Sequence, residues 1–178
     1  NGLELWKKVN GVDNAPVQPY TERKSISTEH TYLQDTIDIK QVHSLILGMI
    51  EKLAYQARSE QWLVSTLVLK IRYANFDTEN LQRKISYTSC DHILGKLALE
   101  LFNKLYNRRM RIRLVGVSFT GLARGTYQIN MFEDTEEMIA LYQAMDKIKN
   151  RFGYDAVTRC GGRNLKSKAG NIISNPNY

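Results

Sequence analysis

The chain has few of the residues that build metal sites or disulfide scaffolds. Its 178 residues include two cysteines, Cys90 and Cys160, which lie far apart and form no CxxC pair. That spacing argues against a zinc site and a disulfide framework, so we expect free thiols in a reducing compartment. The three histidines, His30, His43 and His92, fall on different predicted elements and lack metal-ligand spacing. We therefore predict no metal site.

Prolines and long apolar runs are scarce too. The three prolines are Pro16, Pro19 and Pro176, so one continuous folded stretch is expected between them. No run of about 18 apolar residues and no signal-like leader occurs, which argues against a membrane span and a secretory signal. We expect a cytoplasmic chain with no membrane partner. The Gly-, Asn- and Pro-rich opening, 1–20, is too short to build a core.

Composition favours one globular domain with a polyanionic partner. Hydrophobic residues make up 43% of the chain, which is enough for a sizeable core. The net charge of +7 indicates attraction to polyanions such as nucleic acid, although charge alone implies only non-specific attraction. The polar, basic tail, 154–178, is expected to be weakly ordered.

Apolar spacing predicts the order β-α-β-β-α-β. Alternating residues predict strands at 23–33, 62–76, 81–89 and 111–122. Apolar residues three and four apart predict helices at 38–57 and 93–105, the first starting at an Asp38/Gln41 capping box. This order is typical of an α+β fold, a four-stranded antiparallel sheet with both helices on one face.

A further C-terminal helix is predicted after the sheet. An Asp134/Glu137 capping box begins it, and Gly153 is the expected C-cap. Its apolar stripe is Met138, Leu141, Tyr142, Met145 and Ile148. The acids at 133–137 could also be imagined as a metal cluster, but compensation of the helix dipole is the favoured interpretation.

The sheet face away from the helices is predicted to be basic and rich in hydroxyl groups. Such groups contact phosphate and sugar without reading base sequence. A solvated sheet face also favours these residues, so both interpretations stay open. The alternative of a βαββαβ RNA-binding or protein-interaction module is disfavoured, because base stacking needs aromatics on that face. Tyr73 and Tyr87 fall on the helix-packed side instead.

The chain lacks the sequence patterns of common active sites. It contains no GxxxxGK[ST], GxGxxG or GxSxG motif. We therefore predict no catalytic residues in it.

Four segments occur in the order found in Y-family translesion DNA polymerases: "NGVDNAPVQPYTERKSISTEHTY", "LVLKIRYANFDT", "RIRLVGVSFTGL" and "QINMF". Over about 2–153 the chain resembles the little-finger domain of the bacterial DNA polymerase IV type. The helix "EEMIALYQAMDKIKNRFG" is also similar to the catalytic subunit of DNA polymerase V, so the type of parent stays open.

The resemblance implies a domain plan. It makes 1–20 the end of the thumb and a tether, 21–122 the DNA-binding domain, 123–153 a clamp-binding motif with a helix, and 154–178 a tail. The implied parent is a DNA-directed DNA polymerase, a nucleotidyltransferase whose palm carboxylates hold magnesium. Those segments are not in this chain, so the fragment should be inactive, free of cofactors and monomeric.

The resemblance also implies that the open sheet grips the backbone of primer-template DNA. By position it assigns Lys24, Ser25 and Ser27 on the first strand and Arg113 and Ser118 on the last. Leu114 and Ser118 stand where family members can carry cations, which implies a weaker grip there. Side-chain alternation adds further candidates, and the complete predicted set is Lys24, Ser25, Ser27, Thr66, Lys70, Arg72, Lys84, Arg111, Arg113 and Ser118.

"QINMF" resembles the short Gln-Leu-x-Leu-Phe peptide with which the family binds the sliding clamp. The implied contacts are Gln128, Ile129, Met131 and Phe132. A glutamine amide fixes orientation while an aliphatic and an aromatic side chain fill an apolar pocket. Because a helix is predicted directly after Phe132, burial of this ring at the start of the helix is the alternative.

Overall fold

Four antiparallel strands form the centre of the protein. The computed structural model describes residues 2–13, 16, 22–125 and 136–159. The strands are β1 (Ser25–Thr36), β2 (Trp62–Tyr73), β3 (Thr78–Thr88) and β4 (Ile112–Arg124). They pair in the order β1-β4-β2-β3, with β2 and β4 inside and β1 and β3 at the edges. The predicted antiparallel sheet is confirmed.

Two helices cover one face of this sheet, as predicted. They are α2 (Ile39–Ser59), which connects β1 to β2, and α3 (Asp91–Leu105), which connects β3 to β4. Both contact the sheet and each other. Alternate strand residues point toward them and are fully buried, and these include Leu67, Leu69, Ile71, Val115 and Phe119. The α+β fold and the order β-α-β-β-α-β are confirmed. No helix within the described ranges is long and apolar enough to cross a membrane.

Helix α2 begins where the sequence predicts a cap. Asp38 Oδ1 accepts hydrogen bonds from the backbone N–H groups of Lys40 (2.9 Å) and Gln41 (3.2 Å). In a full capping box the Gln41 side chain would accept a hydrogen bond from the Asp38 N–H, and here it does not. Instead the Asp38 N–H donates to Thr36 Oγ1 at 3.1 Å. The N-cap is therefore confirmed, and a threonine at the end of β1 replaces the glutamine as its partner.

The opening segment holds a helix that apolar spacing did not predict. Helix α1 (Gly2–Val9) exposes Leu3, Leu5, Trp6 and Val9, each by at least 66%. It ends as Gly11 turns to a φ of +75° and donates its N–H to Lys8 O at 3.0 Å. Because none of its side chains is buried, it leaves only a short apolar pattern in the sequence.

Helix α4 (Glu136–Phe152) ends as predicted, but its apolar stripe is not its packing face. Gly153 adopts a φ of +96°, and its N–H donates to Lys149 O at 2.9 Å. Of the predicted stripe, Tyr142 is fully buried, whereas Leu141 and Ile148 are exposed by 47% and 39%. The predicted Asp134/Glu137 capping box includes a residue outside the described ranges.

Buried charges attach α4 to α2. Lys149 lies in the last turn of α4, where a cation suits the helix dipole, but it is only 2% exposed. Its Nζ lies 2.7 Å from Glu51 Oε1, and Glu51 is 3% exposed. The Lys149 ammonium also lies 4.4 Å from the centre of the Tyr154 ring. This buried ion pair therefore joins α4 to α2.

A second buried cluster joins α2, α3 and α4 around Arg58. Its guanidinium binds both Asp146 oxygens, with Nε and Nη2 at 2.7 and 3.0 Å, and Nη1 lies 2.5 Å from Asp91 Oδ1. Burial favours the neutral form of Arg58, but hydrogen bonds to Asp146 and the charge of Asp91 raise its pKa overall. Burial also raises the pKa of the Asp91 carboxyl, against the opposing effect of Arg58.

Candidate functional site

Most of the predicted DNA-binding side chains lie in cross-strand rows on the face without helices. In one edge row, Ser25 lies opposite Thr120, Thr120 opposite Thr66, and Thr66 opposite Lys84. Cross-strand partners point to the same side of a sheet. The next positions along these strands, Ile26, Phe119 and Leu67, are buried under the helices. The row therefore lies on the opposite, open side.

Three more rows continue this surface. Each places one residue of β1, β4, β2 and β3 side by side, and together the rows define the open face. The rows are Ser25–Thr120–Thr66–Lys84, Ser27–Ser118–Val68–Gln82, Glu29–Gly116–Lys70–Asn80 and Thr31–Leu114–Arg72–Thr78. The structure thus brings together Ser25, Ser27, Thr66, Lys70, Arg72, Lys84 and Ser118 from the predicted set. Lys24 is exposed and directly precedes β1.

The cations of the open face differ in their surroundings. Lys84 is exposed on edge strand β3. Arg72 is half-buried, and its Nε donates to Thr78 Oγ1 at 2.9 Å. Lys70 in the middle of the face lies 2.9 Å from Glu29 Oε1. Sequence reasoning missed this acid, although Glu29 is in phase with Ser25 and Ser27 along β1.

The two remaining predicted arginines lie outside the rows. Arg111 is exposed just before β4 begins. Arg113, which the resemblance assigned by position, is out of phase with Leu114 and Gly116 and lies where the register of β4 against β2 shifts. Its guanidinium lies 3.7 Å from Asp35 Oδ1 and 4.7 Å from the centre of the Phe76 ring. These contacts hold Arg113 at the end of the sheet.

No residue of the four rows is aromatic. Tyr73 is fully buried on the helix side, as the alternation predicts. Tyr87 is 42% exposed, but it lines a groove between β3 and α3 with Ile93 and Lys96. His30 and Tyr32 also alternate away from the rows, and burial lowers the pKa of His30 and raises that of Tyr32 to about 12. The open face can therefore offer hydrogen bonds and charge, but not base stacking.

The predicted clamp-binding residues Gln128, Ile129, Met131 and Phe132 lie outside the described residues. The chain before them is fixed by Arg124, whose Nη1 donates to Glu60 O at 3.1 Å. The Arg124 guanidinium lies 4.0 Å from the centre of the Trp62 ring. Strand β4 therefore ends at an anchored residue.

The described part of the chain contains no group of three or more His, Cys, Asp or Glu side chains that could hold a metal ion. The acids of the Arg58 cluster are bound by cations instead.

Comparison with known proteins gives one family and several relatives. The sequence model of the impB/mucB/samB family C-terminal domain matches residues 23–131. A DNA polymerase IV of Clostridium kluyveri is 28% identical over 94% of this chain and 45% of the relative. A DNA polymerase IV of Opitutus terrae is 29% identical over 88% and 41%. A DNA polymerase IV of Lactococcus lactis is 35% identical over 67% and 33%. The chain thus spans less than half the length of these relatives.

Proposed function

Because the chain belongs to the impB/mucB/samB family of C-terminal domains, we propose that it grips primer-template DNA for a lesion-bypass DNA polymerase. The membership confirms the resemblance to the C-terminal part of Y-family polymerases that the sequence predicts. The relatives named DNA polymerase IV support a polymerase as the parent, with nucleotidyl transfer on magnesium held by residues that this chain does not include. The fragment alone is then inactive.

The open face is the observation that carries this proposal. Its rows combine lysine and arginine side chains with serine and threonine hydroxyl groups on a surface that neither helix α2 nor α3 covers. These groups bind phosphate and sugar oxygens of any sequence. Lesion bypass needs such a grip, because the polymerase must hold templates whose bases are damaged. The absence of aromatics from the rows favours duplex backbone over unstacked RNA bases.

A clamp tether is the second part of the proposal. We assign it to Gln128, Ile129, Met131 and Phe132, on the resemblance of QINMF to the family peptide. The segment follows β4 and precedes α4, so it lies outside the strands that carry the open face. DNA and clamp can then bind without competing for the same residues. The proposed division is 1–20 as thumb end and tether, 21–122 as DNA-binding domain, 123–153 as clamp motif and helix, and 154–178 as tail.

Lys84 of the open face and Lys24, which directly precedes β1, provide the first test. We expect Lys24→Ala with Lys84→Ala to weaken binding to primer-template duplexes of different sequence by the same factor. The slope of log affinity against log salt should become shallower by about 2, since about 0.9 counterions are released per phosphate contact. Fluorescence anisotropy over a salt series measures both quantities.

The matched control is Lys52→Ala with Lys104→Ala. These lysines are exposed on α2 and α3, on the helix side of the sheet, and their loss changes the net charge equally. An equal loss of affinity in both double variants would contradict the assignment of DNA to the open face, because it would indicate only a net-charge effect.

A further inference from the structure

One row of the open face contains an acid that spans the neighbouring strand. Glu29 on β1 and Lys70 on β2 both lie opposite Gly116 of β4, which separates them. The Glu29 carboxylate nevertheless reaches across β4, and its Oε1 lies 2.9 Å from Lys70 Nζ. Glu29 is the only acidic residue in the four rows.

Gly116 makes this contact possible. A Cβ atom placed on Gly116 would lie 2.9 Å from Glu29 Cγ and 3.3 Å from its Cδ. Real Cβ atoms do not approach other atoms this closely, so any larger residue at 116 would displace the Glu29 side chain. Because Gly116 has no side chain, the Glu29 carboxylate can pass over its backbone to reach Lys70.

The Glu29–Lys70 pair reduces the positive charge that the middle of the open face presents to DNA. A carboxylate at 2.9 Å offsets the charge of the central lysine, and it repels a phosphate that approaches the same row. The Lys70 side chain is 29% exposed and that of Glu29 46%, so both are within reach of a bound duplex. A phosphate that approaches Lys70 therefore competes with the Glu29 carboxylate for the ammonium.

We propose that Glu29, seated on Gly116, is a brake on the DNA grip. Its carboxylate occupies Lys70, so that phosphates are bound by the rows on either side. The affinity of the domain for the duplex therefore stays low, and the duplex can dissociate readily. This inference rests on the proposed function. It adds a residue that lowers the affinity for DNA and does not itself bind DNA.

Glu29→Gln tests the brake. It removes the charge but keeps the size of the side chain, and we expect binding to primer-template DNA to tighten about twofold to fivefold, the range of a single exposed ion pair. The salt slope should steepen by about 0.9, which corresponds to one additional phosphate contact. In Lys70→Ala the same glutamine substitution should give no gain. A gain that persists without Lys70 would overturn the proposal.

Glu100→Gln is the matched control. Glu100 pairs with Arg83 at the same 2.9 Å, both side chains are about half exposed, and the pair joins α3 to the edge strand β3. The Glu100→Gln substitution changes the net charge as Glu29→Gln does. It should leave the DNA affinity and its salt slope near those of the unaltered chain. Equal tightening by both variants would overturn the brake.

Gly116→Ala gives a second route at constant net charge. Its methyl group should push Glu29 off Lys70 and tighten binding in the same direction as Glu29→Gln. Unchanged or weaker binding by a folded Gly116→Ala variant would count against the brake. If neither the unaltered chain nor any variant binds DNA, the proposed function itself fails. If the unaltered chain binds DNA and Glu29→Gln leaves the affinity unchanged, only the brake is refuted.

Discussion

Lys149→Met is expected to lower the free energy of unfolding by about 3–5 kcal/mol, the usual cost of removing one partner of a buried ion pair. Glu51, which is 3% exposed, would lose the ammonium that lies 2.7 Å from its carboxylate. If α4 detaches instead, the domain loses the contacts of that helix and Glu51 gains water. Urea denaturation followed by circular dichroism measures the change.

Lys147→Met is the control for this result. Lys147 is exposed on the same helix, two positions earlier, and its replacement should change stability by less than about 0.5 kcal/mol. Replacing both buried partners, Glu51→Leu with Lys149→Met, should recover much of the loss, because no unpaired charge remains. Equal small effects of both single methionine variants would contradict attachment of α4 by the buried pair.

Gln128→Ala with Phe132→Ala is expected to weaken binding to the sliding clamp by at least about 30-fold. Anchor residues that fill a pocket commonly contribute 2 kcal/mol or more each when truncated, so two lost anchors should leave little measurable affinity. Surface plasmon resonance with immobilised clamp tests this. DNA affinity should stay unchanged, because neither residue belongs to the rows of the open face.

Asn130→Ala serves as the control within the same five residues. It occupies the variable position of the Gln-Leu-x-Leu-Phe pattern, so clamp affinity should change little. Clamp binding that survives the Gln128 and Phe132 substitutions would remove the tether from the proposal and leave the DNA grip standing.

Strand positions could be predicted from the sequence because burial on one side imposes a period of two. Leu67, Leu69 and Ile71 repeat at that period and are fully buried, so their polar neighbours were assigned correctly to the open face. Arg113 had been assigned to the open face by the resemblance and not by alternation. It is out of phase with Leu114 and Gly116 of the rows, so the match in position did not show which side of the sheet it occupies.

Contacts between distant parts of the chain could not be predicted. Lys149 and Arg151 suit the end of a helix, which is a sufficient local explanation, and nothing near Lys149 indicates that Glu51 is its partner. The same holds for Arg58 and Asp146, which are 88 residues apart. Glu29 differs, since its parity with Ser25 and Ser27 is visible in the sequence and could have placed it on the open face, although it was missed.

Binding of the unaltered chain to primer-template DNA across a salt series is the direct test of whether the open face grips the DNA backbone. We predict weak binding that is the same for unrelated sequences and falls steeply with salt between about 50 and about 200 mM, with a slope of several counterions. Sequence-specific binding that salt leaves unchanged, or no binding at the lowest salt, would contradict a backbone grip by the open face.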